Sequence, residues 1–414
     1  MPSVAPAHDP LFFPLPTITP LVHPPSGPSS TSRLGAVISN LSLQDLFDPS
    51  LRSSSQARST EAFKQLEKAV YEHLVVVVKG QEELAEDRQF AMVRAFDPSA
   101  PDEHGHQDAT TTHKGHKSLL FGIGNESGRH PEVKLVGGGK QGVRFGGREL
   151  RQADHTQYHF EPLTEEEREA GFTRWHRWHM DASLFRTSLP LVTSLFCLSS
   201  PSFLPSSLTS SSPSQCRDPL TVRWDDHSGL EMKVHAGSTG FIAGERMWER
   251  LSEEERRWAE GCRVEYAPWP YQWSSTCKGN SNGLGSHPST SPLPLDELPD
   301  WDEKKEGEVK VYPMVWTCPK TGRKGIQVHP VAVRRLLPAH EPPIEDLQEV
   351  RKKLDDLQRP ALVPENIWAP AYEVGDLVIF NNRAVYHSAT DYPEGWKATR
   401  TMLQAHVAAS FEPK

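Results

Sequence analysis

The sequence predicts a mainly β fold, a sandwich or jelly roll elaborated by helices. Three observations predict it: many short runs of alternating or β-branched apolar residues, only a few stretches with helical spacing, and no internal repeat. A chain of 414 residues can bury a large core, and folds of this class often run past about 200 residues as one domain.

In chain order, residues 1 to 33 are rich in Pro and Ser and bury too little apolar area to offset ordering, so they are expected to form a flexible arm. Residues 34–414 are expected to form a single domain. Ser59 or Thr60 can cap a helix whose apolar Phe63, Leu66, Val70 and Leu74 follow helical spacing, and the chain then turns into the strand VVVVKG. From Asp97 to Gly147, His, Gly and polar residues favour loops around short strands such as Glu132 to Val136. Strand-like LVTSLFCL and LTVRW follow, separated by a Ser/Pro-rich segment at about 199–219 that reads as an insertion. The segments VKVYPMVW and GIQVHPVAV are expected strands, Ile344 to Gln358 a helix, and GDLVIFNN and RTMLQAHVAA the closing strands.

Composition narrows the function. A net charge of −9 argues against nucleic acid as the main partner. The longest apolar runs, such as Leu74 to Val78, fall far short of the roughly 18 residues that span a bilayer, so no membrane partner is expected. The N-terminus lacks a basic region ahead of an apolar core and is broken by prolines, which makes cytoplasmic residence the expectation. Five cysteines with no CxxC pair suggest free thiols rather than disulfides or a thiolate metal site. Oligomeric state is not legible.

The chemistry concentrates in RWHMDASLF, where His179 and Asp181 stand two apart and leave the same face of an extended strand. With nineteen histidines in the chain, such a pair can equally be a surface imidazole beside a carboxylate. Far downstream, GDLVIFNNRAVYHSA puts His387 just after an apolar strand, completing two imidazoles and one carboxylate. Such a set leaves one face of an octahedron open, which suits Fe(II) oxygenases that place a cosubstrate and O2 on the metal. Arg400 follows shortly after His387, and a guanidinium can grip a distal carboxylate with two parallel hydrogen bonds. Glu167 lies in EEERE, which also reads as a solvated helix start.

Together with FIAGERMW, EYAPWPYQW, VYPMVWTCPKTGRKGIQVHP and QRPALVPE, these motifs resemble the taurine dioxygenase-like superfamily, and within it the fungal xanthine dioxygenases that use 2-oxoglutarate. The resemblance runs from about residue 35 to 411, apart from the insertion. It implies a double-stranded β-helix of the jelly-roll, cupin-like kind. It also implies Fe(II) on His179, Asp181 and His387, 2-oxoglutarate gripped by Arg400, and O2 as the oxidant. The reaction it implies is hydroxylation of xanthine to uric acid with release of succinate and CO2. Thr221, in LTVRW, falls close to where relatives place a hydroxyl against the same cosubstrate carboxylate. Gln404 falls where xanthine-oxidising relatives have a Gln facing the purine, whereas His406 stands where they usually have Asn. Relatives also use a Lys and a Glu on the substrate, and Glu167 is the candidate for the latter. The alternatives are a sulfonate, aryloxy acid or other small acid as substrate, or, in another class, a metal-binding jelly roll without oxygenase activity or an inactive gene model.

Overall fold

A computed structural model describes residues 13–21, 34–101, 112–113, 116–117, 125–126, 130, 132–140, 149–150, 155–182, 184, 186–201, 219–390 and 399–414. The insertion expected at about 199–219 lies almost wholly outside the described residues, as do residues 1–12 and 22–33 of the expected arm. In chain order the strands that position the site are β1 (Thr17–Pro20), β2 (Ala36–Ser39), β3 (Val75–Val78), β4 (Val133–Gly137), β5 (Val192–Ser199), β6 (Leu220–Arg223), β7 (Thr239–Ala243), β8 (Ile367–Trp368), β9 (Leu377–Asn381), β10 (Val385–Ala389) and β11 (Thr401–His406).

Two sheets form the core. The main sheet has the order β1-β2-β3-β9-β5-β11-β4, continued by the short strand Asn125–Glu126. The second has the order β8-β7-β10. Its far edge is extended by bridges from Trp175 to Thr390 and from His179 to His387. Alternation sorts the side chains: Val378 and Phe380 of β9, Leu195 and Cys197 of β5 and Met402 of β11 pack against Phe241 and Val385 of the second sheet. The intervening Leu377, Ile379, Phe196 and Leu403 face the opposite way, into a core shared with the helices. On the second sheet, Ile242 and Tyr386 point outward into a third apolar cluster with Trp175, Trp178 and Trp224. A jelly roll with helical elaboration is therefore the architecture, as the sequence predicted.

The helices dock on the outer face of the main sheet or beside the second. Helix α1 (Glu61–His73) is capped by Thr60, whose Oγ accepts from the Phe63 N–H at 3.2 Å, and it buries Phe63, Leu66 and Val70. Leu74 ends it in a left-handed conformation, φ 63°, and so turns the chain into β3. Helix α2 (Glu86–Phe96) was not anticipated. Helix α3 (Leu347–Gln358) begins three residues later than expected because Asp346 caps it, accepting from the Gln348 and Glu349 N–H groups.

Three further differences from the sequence reading have physical causes. Strand β1 lies inside the expected arm, where it pairs antiparallel with β2 from Thr17↔Ser39 to Pro20↔Ala36; a strand at a sheet edge tolerates its Pro. The run VKVYPMVW breaks into Val311–Pro313 and Val315–Thr317. GIQVHPVAV supplies only the ends of two strands, Lys324–Ile326 and Val333–Leu337, because Pro330 removes a ladder donor; His329 therefore sits in a buried loop. Among the described residues no helix is long and apolar enough to cross a membrane.

Candidate metal centre

The centre is assembled where the two sheets meet. His179 and His387 face each other across paired main-chain hydrogen bonds, His179 N–H to His387 O at 3.0 Å and the reverse at 2.8 Å. Their rings lie 4.2 Å apart. Asp181 joins them: His387 Nε2 is 3.6 Å from Asp181 Oδ1, and one donor atom from each of the three residues lies within 4.8 Å of the others. Among the described residues this is the one such group of three.

Two of the three, His179 and Asp181, are oriented by hydrogen bonds from neighbours. The Nδ1 of His179 is engaged by the Arg177 carbonyl at 2.8 Å, so Nε2 is the nitrogen left for a ligand bond. The main chain of Asp181 is clamped by Asn382, whose Oδ1 accepts from the Asp181 N–H at 2.8 Å and whose Nδ2 donates to the Asp181 carbonyl at 2.8 Å. Asn382 Nδ2 also reaches the Pro190 carbonyl at 3.1 Å, and its side chain is wholly buried. Gln404 Nε2 donates to both Asp181 carboxylate oxygens, at 3.3 and 3.2 Å. His406 Nδ1 stands 4.0 Å from Asp181 Oδ2. Both residues lie on β11, two apart, on one face of the strand.

Protonation favours a divalent cation. Burial, with His179 beside it, pushes the His387 imidazole down to about 3, which keeps it neutral. The Asp181 carboxyl is held below its ordinary range despite burial, which raises it, and so stands as a carboxylate beside the imidazoles. Two imidazoles and one carboxylate suit Fe(II), and they would occupy one side of it only. This fits the expected metal.

The surroundings of Arg400 differ in one residue from expectation. Arg400 donates from Nη2 to the Thr239 hydroxyl at 2.9 Å. Thr239 lies on β7, opposite Ala389 and two residues from Phe241, which is itself opposite His387; these side chains share the inner face. Thr221 is elsewhere. It sits on β6 in a separate sheet between Phe172–Thr173 and Glu231–Val234, and its hydroxyl accepts from Lys233 Nζ. The hydroxyl beside Arg400 is therefore Thr239, which the sequence reading missed because nothing local in GSTGF distinguishes it. Glu167 is also tied up elsewhere: its carboxylate closes the capping box with Thr164 and pairs with Arg223. Gly137 approaches the main chain of Arg400 from the other side. Its φ is +131° and a Cβ there would meet the Arg400 carbonyl at 2.0 Å, so only glycine lets β4 close on this point.

The fold and the donor set together define the class: a mononuclear non-haem iron oxygenase built on a jelly roll. The chain belongs to the taurine catabolism dioxygenase TauD, TfdA family, whose model matches residues 44–406. Enzymes of this kind are oxidoreductases that use Fe(II), 2-oxoglutarate and O2. The chain is 37% identical over 396 residues to the alpha-ketoglutarate-dependent xanthine dioxygenase of Emericella nidulans, covering 95% of this chain and 96% of that protein. It is 34% identical over 405 residues to the protein of the same description in Neurospora crassa, covering 96% and 88%. A taurine dioxygenase from Burkholderia xenovorans shares the fold, with a TM-score of 0.51 at 16% identity over 97% of this chain and 93% of that one.

Proposed function

We propose that the chain hydroxylates xanthine to uric acid, converting one 2-oxoglutarate and one O2 to succinate and CO2. The observation that carries this reading is a buried His179, Asp181 and His387 set within a chain 37% identical, over nearly its whole length, to a xanthine dioxygenase. His179, Asp181 and His387 would hold the metal. Bound there, Fe(II) couples oxidative decarboxylation of 2-oxoglutarate by O2 to insertion of one oxygen atom into a substrate C–H bond. Arg400 would take the far carboxylate of 2-oxoglutarate, with the Thr239 hydroxyl as the second donor to it. Gln404 and His406 would fix the direction in which Asp181 points, and the carboxamide oxygen of Gln404 would remain available to a purine N–H. The enzyme is read as cytoplasmic, and residues 34–414 as one catalytic domain with the 199–219 segment inserted.

A second reading, oxidation of a small aryloxy or sulfonic acid, is favoured by one feature, His406 at the position where xanthine-oxidising relatives usually have Asn. Anaerobic reconstitution with Fe(II), then O2 with 2-oxoglutarate and xanthine, separates the two. Succinate and uric acid formed in equal amounts support the first reading; succinate without uric acid supports the second.

A further inference from the structure

Between β8 and β9 the chain passes through Tyr372, which is 3% exposed and belongs to the apolar cluster between the two sheets. Its companions there include Phe241 of β7, Phe380 of β9, Val385 of β10 and Met402 of β11. The Tyr372 hydroxyl is buried with them and is without a hydrogen-bond partner among the described residues. A hydroxyl buried in this way is costly, and a bound group that accepts from it removes the cost.

The polar groups that act on this hydroxyl are the Arg400 guanidinium and Thr239, the latter through both its side chain and its main chain. Burial, opposed by Arg400 and Thr239, pushes the phenol up to about 12, so it keeps its proton at neutral pH and can donate to an anion. Arg400 Nη2 already donates to the Thr239 hydroxyl at 2.9 Å, and an oxygen that accepts there still has its own proton to give. Three donors of different kinds therefore converge between the sheets. Their distance from the metal centre is also fitting. On β7, Phe241 stands opposite His387, and Thr239 lies two residues along the same strand, about 7 Å away. The charge of Arg400 reaches both His387 and Tyr372. A five-carbon dicarboxylate with its keto-acid end beside His387 would bring its far carboxylate to these donors.

We propose that the Tyr372 hydroxyl is a third donor to the far carboxylate of 2-oxoglutarate, beside Arg400 and Thr239, and that it helps select a dicarboxylic 2-oxo acid over a monocarboxylic one. This rests on the reading above that Arg400 takes that carboxylate. A carboxylate offers about four acceptor positions on its two oxygens. The guanidinium can fill two of them with parallel bonds, Thr239 a third and Tyr372 the fourth. An analogue with a methyl group in that place would leave every one of these donors unmatched, which is how a polar pocket rejects an isostere.

The test is equilibrium binding without O2 to the Fe(II)-loaded protein, using 2-oxoglutarate and 2-oxopentanoate, in which a methyl group replaces the far carboxylate. Tyr372→Phe keeps the ring and removes only the hydroxyl. It is expected to bind 2-oxoglutarate roughly 10- to 150-fold more weakly, the range for one hydrogen bond to a charged group, with its affinity for 2-oxopentanoate unchanged. Ligand-free Tyr372→Phe is expected to melt no lower than wild type, because the lost hydroxyl had no partner, while the rise in melting temperature produced by 2-oxoglutarate shrinks. A purely structural tyrosine would behave otherwise, with a lower ligand-free melting temperature and both 2-oxo acids weakened alike. That result overturns the proposal, as does unchanged 2-oxoglutarate affinity in Tyr372→Phe. In either case a wild type that prefers 2-oxoglutarate, and an Arg400→Met variant that loses the preference, leave the Arg400 reading standing. If wild type shows no preference between the two acids, the Arg400 reading falls and the Tyr372 proposal falls with it.

Discussion

Asn382 touches no donor atom of the metal cluster, yet it holds the main chain of Asp181 by both its N–H and its carbonyl. Asn382→Ala is expected to weaken Fe(II) binding by about 10- to 100-fold, as for other groups that orient a ligand. It should also cost about 1–3 kcal/mol for the buried polar groups left unmatched. Fe(II) titration and urea denaturation measure the two effects separately; a loss of stability with intact affinity would make Asn382 a purely structural residue. Replacing Asp181 or His179 by Ala removes a ligand outright, and iron binding and turnover should both vanish. At this scale the sequence was legible where chemistry and spacing coincide: HxD puts two ligands on one face, and His387 follows a strand too apolar to be surface. Thr239 was not legible. Its meaning depends on Arg400, which is far away in the chain, and an isolated Thr in a strand has no pattern of its own.

At the scale of the element, the meeting of β4 with β11 sets the position of Arg400. Gly137→Ala would drive a Cβ into the Arg400 carbonyl, at a position whose positive φ already disfavours side chains. The expected outcome is a lower melting temperature together with weaker 2-oxoglutarate binding, read by thermal denaturation and by cosubstrate titration; a lower melting temperature alone would uncouple the glycine from the grip. Helix α1 and strands β3, β5, β9 and β11 were legible because their apolar spacing is strong. Helix α2 was not, and its burial shows why. It sets Gln89 against the main sheet, bonded to Ser194 Oγ at 3.1 Å and the Leu403 carbonyl at 3.0 Å, and it buries Glu86 as well. Polar residues on the inward face erase the periodicity that marks a helix.

For the molecule as a whole, the buried imidazoles set the response to acid. His329 and His387 are both held neutral, each pushed down to about 3, by burial first and by neighbouring imidazoles next. The unfolded chain protonates both below about pH 6.5, so their contribution to stability is complete above that pH and is lost as pH falls toward 3. The loss is about 1.4 kcal/mol per pH unit for each group. Urea midpoints of the metal-free protein should therefore fall steeply from pH 6.5 to 5, and His329→Gln should lessen that slope. A pH-independent midpoint would show that these two imidazoles are accessible to protons in the folded state. The jelly roll was legible as a class, but its outer strand β1 was not: TITP sits in a proline-rich stretch, and only pairing with β2 gives it structure.

The strand order of the main sheet also governs how the protein is made. Strands β1 to β3 are synthesised first, and β3 presents four consecutive valines along an edge that β9 covers only when residues beyond 377 arrive. Until then a nascent chain carries a bare, apolar, uncharged β edge, the kind of surface on which chains aggregate. His387 and Arg400 emerge later still, so metal loading must await nearly complete synthesis and can serve as the signal that the chain has folded through its last strand.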